Sequence, residues 1–135
     1  MPHGSRSLRV DLANQTIDLL EDGRLLHRYP VSTGLAGAGE VHGSGCTPRG
    51  LHRVRLRIGA ACPVGTVFVS RRPTGEVYCQ ALAEQFPGRD WILTRILWLT
   101  GLEPGRNRGG NRDTLRRFIY IHGCPDSEPI GVPRS

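Results

Sequence analysis

The chain has 135 residues, a length that suits one domain and leaves no room for two full hydrophobic cores. All eighteen basic residues are arginine, and against twelve acidic residues they give a net charge of +6. The absence of lysine excludes chemistry that needs a lysine amine, such as a Schiff base, a pyridoxal anchor or a phosphate-binding P-loop. Hydrophobic content of 38% with eighteen glycines and ten prolines indicates a loop-rich globular domain, and a β-rich fold is the first expectation.

The first predicted element is a β-hairpin over residues 7–34. Apolar residues alternate along 8–12, and the pattern resumes before Asp22-Gly23, a dipeptide typical of a hairpin turn. A further strand is predicted over 25–31. The N-terminal third is therefore expected to be β structure.

A glycine-rich segment over residues 34–50 separates the hairpin from the clearest strand signal in the sequence. A segment of this length without periodicity is typical of a functional or mobile loop. Along residues 51–58, apolar side chains alternate with Arg53, Arg55 and Arg57. This alternation predicts a half-buried strand with a solvated arginine face.

The middle of the chain predicts three further strands. Two short ones are expected over 64–70 and 76–82, with a turn over 72–75 between them. Residues 90–100 are apolar on both faces, which favours a central strand with core tryptophans, although a short buried helix has the same pattern. The arginine- and glycine-rich segment 101–117 predicts an exposed loop.

The C-terminal part predicts a last strand over 118–121 that ends at His122-Gly123, followed by a proline-constrained extended loop. Seven or so short strands and no convincing amphipathic helix argue for an all-β sandwich or a mixed sheet. The longest apolar stretch is far shorter than the ~20 residues that a membrane helix needs, so no membrane span is predicted.

The four cysteines, at positions 46, 62, 79 and 124, form no Cys-x-x-Cys pair, which argues against a zinc ribbon or a thioredoxin-type site. His42 and Cys46 could lie close together, but two ligands in a glycine-rich loop make a poor metal site. Cys62 and Cys79 are interpreted as small buried hydrophobic residues. We therefore expect neither a metal nor a cofactor.

His122 is the residue best suited to chemistry. It follows alternating Phe118 and Tyr120 and lies where a strand gives way to a loop, a position that exposes an imidazole while the strand holds its ring. A purely structural role fits this position equally well, so the residue pattern alone leaves the choice open.

Segment 119–123, which reads Ile-Tyr-Ile-His-Gly, and the proline-rich segment after it resemble the signature of the L,D-transpeptidase catalytic domain, also called YkuD-like. That signature is a His-Gly pair, a connecting loop and then Ser-His-Gly-Cys. Segments 29–34 and 47–50, Tyr-Pro-Val-Ser-Thr-Gly and Thr-Pro-Arg-Gly, are similar to earlier landmarks of the family, in the right order. Agreement at three separated places makes the resemblance specific.

The resemblance implies a mainly β fold, a β-sandwich of mixed sheets with long loops, in which residues 1–135 form a single catalytic domain lacking its C-terminal part. His122 would be the base that takes a thiol proton, and Gly123 would hold the imidazole through its backbone carbonyl. Ser135 would open the Ser-His-Gly-Cys motif. The nucleophilic cysteine would then lie three residues beyond Ser135, so the 135 residues alone are expected to be inactive.

Cys124 also completes a His-Gly-Cys tripeptide. The apolar Ile121 stands where the motif has serine, however, and Pro125 replaces the residue expected after the cysteine. The alignment that makes His122 the first histidine of the signature is therefore preferred, with Cys124 beside the site rather than in it.

The implied partner is the peptidoglycan stem peptide, with no nucleic acid expected, and the implied localisation is the periplasm or cell envelope. No secretory signal is visible at the N-terminus, which leaves a cytoplasmic setting open. The alternative is a non-catalytic, arginine-rich binder of an anionic polymer, a glycan or a nucleic acid, through the arginines of 53–57 and 101–117.

Overall fold

The computed structural model describes residues 5–134. In this range the chain forms eight strands, one short helix and one 3₁₀ turn, at Gly110–Arg112. The strands are β1 (Arg6–Asp11), β2 (Thr16–Glu21), β3 (Arg24–Pro30), β4 (His52–Ile58), β5 (Thr66–Val69), β6 (Arg72–Val77), β7 (Ile92–Gly101) and β8 (Tyr120–Gly123), and the helix is α1 (Gln80–Gln85). The expectation of a mainly β fold is confirmed.

The first sheet is an antiparallel meander in the order β1-β2-β3. Asp22 and Gly23 have φ values of +50° and +81°, as a two-residue hairpin turn of the twist-compatible type requires. The predicted single hairpin is wrong in one respect, because the chain also reverses between β1 and β2. Here the Asp11 carboxylate accepts hydrogen bonds from the backbone and side-chain nitrogens of Asn14, which closes a local turn.

The second sheet has the order β4-β7-β5-β6, with β8 paired to β7. Ile96 of β7 is opposite both Ile58 of β4 and His122 of β8, so β4 and β8 flank β7 on opposite edges. The prediction that 90–100 holds a central strand is confirmed. In both sheets the strand pairs are antiparallel, and parallel pairing within 5–134 is confined to three isolated bridges.

The strand predicted over 51–58 is confirmed as β4, but its alternation is incomplete. The pairing register with β7 shifts between Val54 and Leu56, and Leu56 is 45% exposed. A bulge of this kind re-aims the side chains that follow it. The three arginines of β4 are all exposed, as expected.

Two predictions for 70–85 are wrong. The turn lies at Ser70-Arg71, both at positive φ, while the predicted turn residues 72–75 belong to β6. Residues 80–85 form α1 instead of continuing a strand. Apolar residues of this segment pack against the buried cluster of Val67, Trp91 and Leu93, and that tertiary burial favours the helix over the extended form.

The loop over 101–117 is not wholly exposed, because Asn107 and Thr114 have 0% accessible surface. The Asn107 amide nitrogen donates to the carbonyls of Arg49 and Leu51, and its amide oxygen accepts from the Glu103 backbone. This side chain replaces backbone pairing and ties the loop to the start of β4.

No helix within residues 5–134 is long and apolar enough to cross a membrane.

Candidate active site

His122 lies in β8 with an exposed side chain. Its Nδ1 is 2.7 Å from the backbone carbonyl oxygen of Gly123. A carbonyl can only accept a hydrogen bond, so the neutral ring carries its proton on Nδ1 and presents a lone pair at Nε2. This arrangement allows the imidazole to take a proton at Nε2 while its orientation is held through Nδ1.

Gly123 lies against an irregular part of β7. A Cβ atom here would be 2.7 Å from the Leu93 carbonyl oxygen and 3.2 Å from the Thr94 Cβ. The β7–β8 register shifts between Leu93 and Ile96, and Thr94 adopts a φ of +74°. The Thr94 hydroxyl oxygen accepts a hydrogen bond from the Gly65 backbone, which helps to hold this left-handed conformation. The packing therefore requires glycine beside His122.

Three aromatic side chains surround the guanidinium of Arg71 next to this strand. Its Cζ is 4.6 Å from the ring centroid of Phe118 and 5.3 Å from that of Trp98, and its Nη1 donates to the Tyr120 hydroxyl at 3.0 Å. We call this group of Trp98, Phe118 and Tyr120 the aromatic cage. The interpretation of both tryptophans as core residues is therefore right for Trp91, which is 7% exposed, and wrong for the half-buried Trp98.

Gly34 joins two of the sequence landmarks with the end of the described chain. Its backbone nitrogen donates to the Thr47 hydroxyl at 2.8 Å, and it forms an isolated bridge with Arg134. On either side, the Arg134 nitrogen donates to the Thr33 carbonyl and the Leu35 nitrogen donates to the Arg134 carbonyl. Segments 29–34 and 47–50 thus meet the residue before Ser135, which itself lies outside the described residues.

Of the expected site residues, the structure places His122 and Gly123 together, and Ser135 lies outside the described residues. Within residues 5–134 no hydrogen bond links His122 with the junction at Gly34. The loop after β8 is constrained by the ion pair between Arg134 and Glu128, at 2.7 Å.

Glu40 and Arg49 order the glycine-rich loop over 34–50. Glu40 is 5% exposed and accepts two hydrogen bonds from the Arg49 guanidinium and a third from the Arg49 backbone. The guanidinium bonds lower the pKa of Glu40 to about 2. Arg117 adds donations to the carbonyls of Gly39 and Cys46. The loop is therefore held at several points along its length.

The cysteines differ in their surroundings. Cys79 is exposed and Cys62 half-buried, so their interpretation as buried residues is wrong. Burial raises the pKa of the Cys124 thiol, and the Glu128 carboxylate adds to the rise. A thiol with a raised pKa holds less thiolate at neutral pH, so Cys124 is poorly prepared as a nucleophile. Among residues 5–134 no three His, Cys, Asp or Glu side chains are grouped as metal ligands would be, and His42 and Cys46 belong to no such group.

The family model of the L,D-transpeptidase catalytic domain, YkuD, matches residues 5–135 of the sequence. The chain belongs to this family. It matches no curated protein and no solved structure. Membership in the L,D-transpeptidase family brings an L,D-transpeptidase-like function, peptidoglycan as the substrate class and a cell-envelope setting.

The sequence reasoning missed two side chains near the L,D-transpeptidase landmarks. Arg71 gave no signal, because Ser-Arg is not a typical hairpin turn and only the folded sheet brings it to β8. Asn107 likewise gave no sequence signal, because it lies within an arginine- and glycine-rich segment without periodicity. The alternation of Phe118 and Tyr120 with His122 is the one pattern that could have indicated an aromatic group beside the histidine.

Proposed function

We propose that this L,D-transpeptidase domain is a cysteine acyltransferase that acts on peptidoglycan stem peptides, with His122 as its base. The observation that carries the proposal is the 2.7 Å contact between His122 Nδ1 and the Gly123 carbonyl, which leaves Nε2 ready to accept a proton. Family membership supplies the reaction class, and this contact supports His122 and Gly123 as a base and its orienting group.

In the proposed reaction the thiol proton passes to His122 Nε2 as the sulfur attacks the carbonyl carbon of the third stem residue. The resulting oxyanion needs backbone N–H donors. Collapse of this intermediate breaks the C–N bond to the terminal D-alanine, which leaves with the proton from His122, and a thioester remains. The side-chain amine of a second stem, or water, then attacks the thioester and regenerates the thiol.

The nucleophile in this proposal follows Ser135. Ser135 opens the Ser-His-Gly-Cys motif, and the reactive cysteine comes three residues after it. Cys124 is not used, and its raised thiol pKa supports leaving it out. Residues 1–135 alone are then expected to form no thioester.

The test uses the chain extended by the codons that follow Ser135 in its gene, together with a stem tetrapeptide. We expect D-alanine release and a mass increase that corresponds to the thioester. His122→Gln should lower the acylation rate by about 10²–10⁴-fold. His27→Gln is the matched control, because His27 is exposed on β3 and lies in the other sheet, and it should leave the rate unchanged.

Cys124→Ser separates the two possible alignments. Retained acylation in this variant supports a nucleophile after Ser135, whereas complete loss would assign the role to Cys124. Equal rates in the wild-type protein and in His122→Gln would overturn the assignment of the base.

A second candidate, non-catalytic binding of an anionic polymer, has one favourable observation. Arg53, Arg55 and Arg57 are exposed on β4, and none of the ion pairs formed within residues 5–134 includes them. This candidate predicts binding to an anionic glycan or nucleic acid that weakens steeply with salt and does not require His122. Neutralising the three arginines together would test it.

A further inference from the structure

We infer that Arg71 is a carboxylate receptor of this domain, held by the aromatic cage beside His122, and that it selects stem peptides by a free carboxylate. The inference rests on the proposed function for the identity of the substrate. It adds a binding residue that lies far from His122 in the sequence and reaches β8 only through the fold.

The cage orients the guanidinium without neutralising it. Phe118 and Trp98 lie 4.6 Å and 5.3 Å from the Arg71 Cζ, and the Tyr120 hydroxyl accepts from Nη1. The face of an aromatic ring attracts a cation, and a ring that lies against a guanidinium also shields the flat face of that group from water. An arginine has five N–H donors, of which this arrangement uses one. Donors therefore remain for a ligand.

Within residues 5–134, Arg71 also has no acidic partner. Every ion pair between side chains of residues 5–134 involves other arginines. Asp18 and Glu40, by contrast, each have an arginine on both carboxylate oxygens. Arg71 is a half-buried residue whose guanidinium is held by the aromatic cage and has no counter-charge among residues 5–134, so it is suited to an incoming carboxylate, which it can bind through two parallel hydrogen bonds.

The cage and His122 share one face of the second sheet. Tyr120 and His122 are two residues apart on β8, so their side chains point to the same side, about 6.6 Å apart along the strand. Trp98 pairs directly with Tyr120, and Phe118 is 53% exposed. A peptide whose scissile carbonyl lies at His122 can therefore reach the guanidinium with a nearby carboxylate.

The backbone around the cage is strained. Ser70 and Arg71 form the two-residue turn between β5 and β6 with φ values of +49° and +64°, and Phe118 has a φ of +57°. These conformations are unfavourable for residues with side chains and are often retained at binding sites. The hairpin thus keeps a costly geometry that brings Arg71 to β8.

A stem peptide with diaminopimelate at the third position offers two carboxylates near the scissile bond, that of the terminal D-alanine and that on the side chain of the diaminopimelate. The same bidentate chemistry would recognise either. Three forms of one synthetic tetrapeptide with diaminopimelate at the third position distinguish the two sources: the free acid, the D-alanine amide and the side-chain amide.

The experiment compares Arg71→Met with Arg72→Met in the extended chain. Methionine keeps an unbranched apolar stem in the cage but removes the charge, and Arg72 is the exposed neighbour outside the cage, so the loss of charge is matched. Dissociation constants are measured calorimetrically in a His122→Gln background, where turnover does not interfere. KM and kcat are measured with His122 in place.

We expect Arg71→Met to raise the Kd and the KM of the free acid by about 10- to 100-fold, while Arg72→Met changes neither. One of the two amides should bind the parent protein as weakly as the free acid binds Arg71→Met, and should lose nothing further in that variant. That amide identifies the carboxylate that Arg71 recognises. If Arg71→Met is poorly folded, Arg71→Lys is the second variant, with an intermediate loss expected.

Unchanged binding of all three peptides by Arg71→Met would overturn this inference and leave the transferase function intact. If instead no peptide releases D-alanine while the Arg71-dependent difference in Kd persists, the proposed transferase function is wrong, and the role of Arg71 as a carboxylate receptor is supported.

Discussion

The Nδ1 atom of His122 lies 2.7 Å from the carbonyl oxygen of Gly123, the residue directly after it. The bond joins neighbouring residues, yet it depends on tertiary structure. Gly123 can adopt this position only because no side chain intrudes between β8 and the bulge of β7 at Thr94. The orientation of the candidate base is thus determined by the packing of two strands.

Gly123→Ala should disturb both stability and chemistry. The added methyl would lie 2.7 Å from the Leu93 carbonyl oxygen, a backbone atom that cannot move aside cheaply. We expect a loss of about 1–3 kcal/mol in the free energy of unfolding. Urea denaturation measures this loss, and D-alanine release should fall with it. Gly88→Ala provides the comparison for backbone strain without crowding, because Gly88 has a φ of +87° and a Cβ there meets no atom within 4 Å, whereas Gly123 is not at positive φ. An unchanged free energy of unfolding in Gly123→Ala would contradict the packing argument.

Acid should destabilise the loop that contains Glu40. Its folded pKa of about 2 is below the ordinary value of 4.5, so the stabilisation is fully present above pH 4.5. It is lost progressively as the pH falls from 4.5 towards 2. Glu40→Gln should lower stability at pH 7 by about 1–3 kcal/mol and flatten the stability profile below pH 4.5. Urea midpoints at pH 7 and pH 3 measure both effects, and the exposed Glu84→Gln should change neither.

Asn107→Ala should be among the most damaging substitutions in the loop over 101–117. Asn107 is fully buried, and the variant would remove the donor to the Arg49 carbonyl and the acceptor of the Glu103 backbone N–H, whereas the Leu51 carbonyl keeps its hydrogen bond from the Leu102 nitrogen. An unsatisfied buried polar group costs about 1–3 kcal/mol, so we expect a loss of that size in the free energy of unfolding. Thermal melting of this variant should be compared with that of Asn111→Ala, which alters an exposed asparagine of the same loop. Similar melting temperatures would show that the buried amide is dispensable.

Ser70→Asn should stabilise the protein. Ser70 has a φ of +49° in a two-residue hairpin turn, and asparagine tolerates this conformation better than serine does. We expect a gain of about 0.5–1 kcal/mol and a higher melting temperature. Ser7→Asn, on exposed β1, is the counterpart where asparagine has no such advantage and should be neutral or slightly destabilising. A gain at position 7 but not at position 70 would contradict the strain argument.

Local patterns were sufficient for elements whose signal lies within a few residues. The Asp22-Gly23 turn, the arginine-faced strand β4 and the apolar strand β7 all follow from dipeptide chemistry or alternation, and each was predicted. The predictions for 70–85 were wrong because long-range contacts determine both the position of the turn and the helical conformation of this segment. The Arg71 cage supports the Ser70-Arg71 turn, and packing on Val67 and Trp91 makes α1 a helix.

The sequence alone determined the family, through motifs at three separated places, and it excluded lysine chemistry and indicated His122 as the residue to examine. Tertiary structure decided which nitrogen of that histidine is available, why glycine must follow it, and that Arg71 lies in an aromatic cage on the same face of the sheet. The physical reason is distance along the chain. Hydrogen bonds join residues 49 positions apart, as Arg71 and Tyr120 are, or 78 positions apart, as Arg117 and Gly39 are, and no local pattern encodes such a pairing.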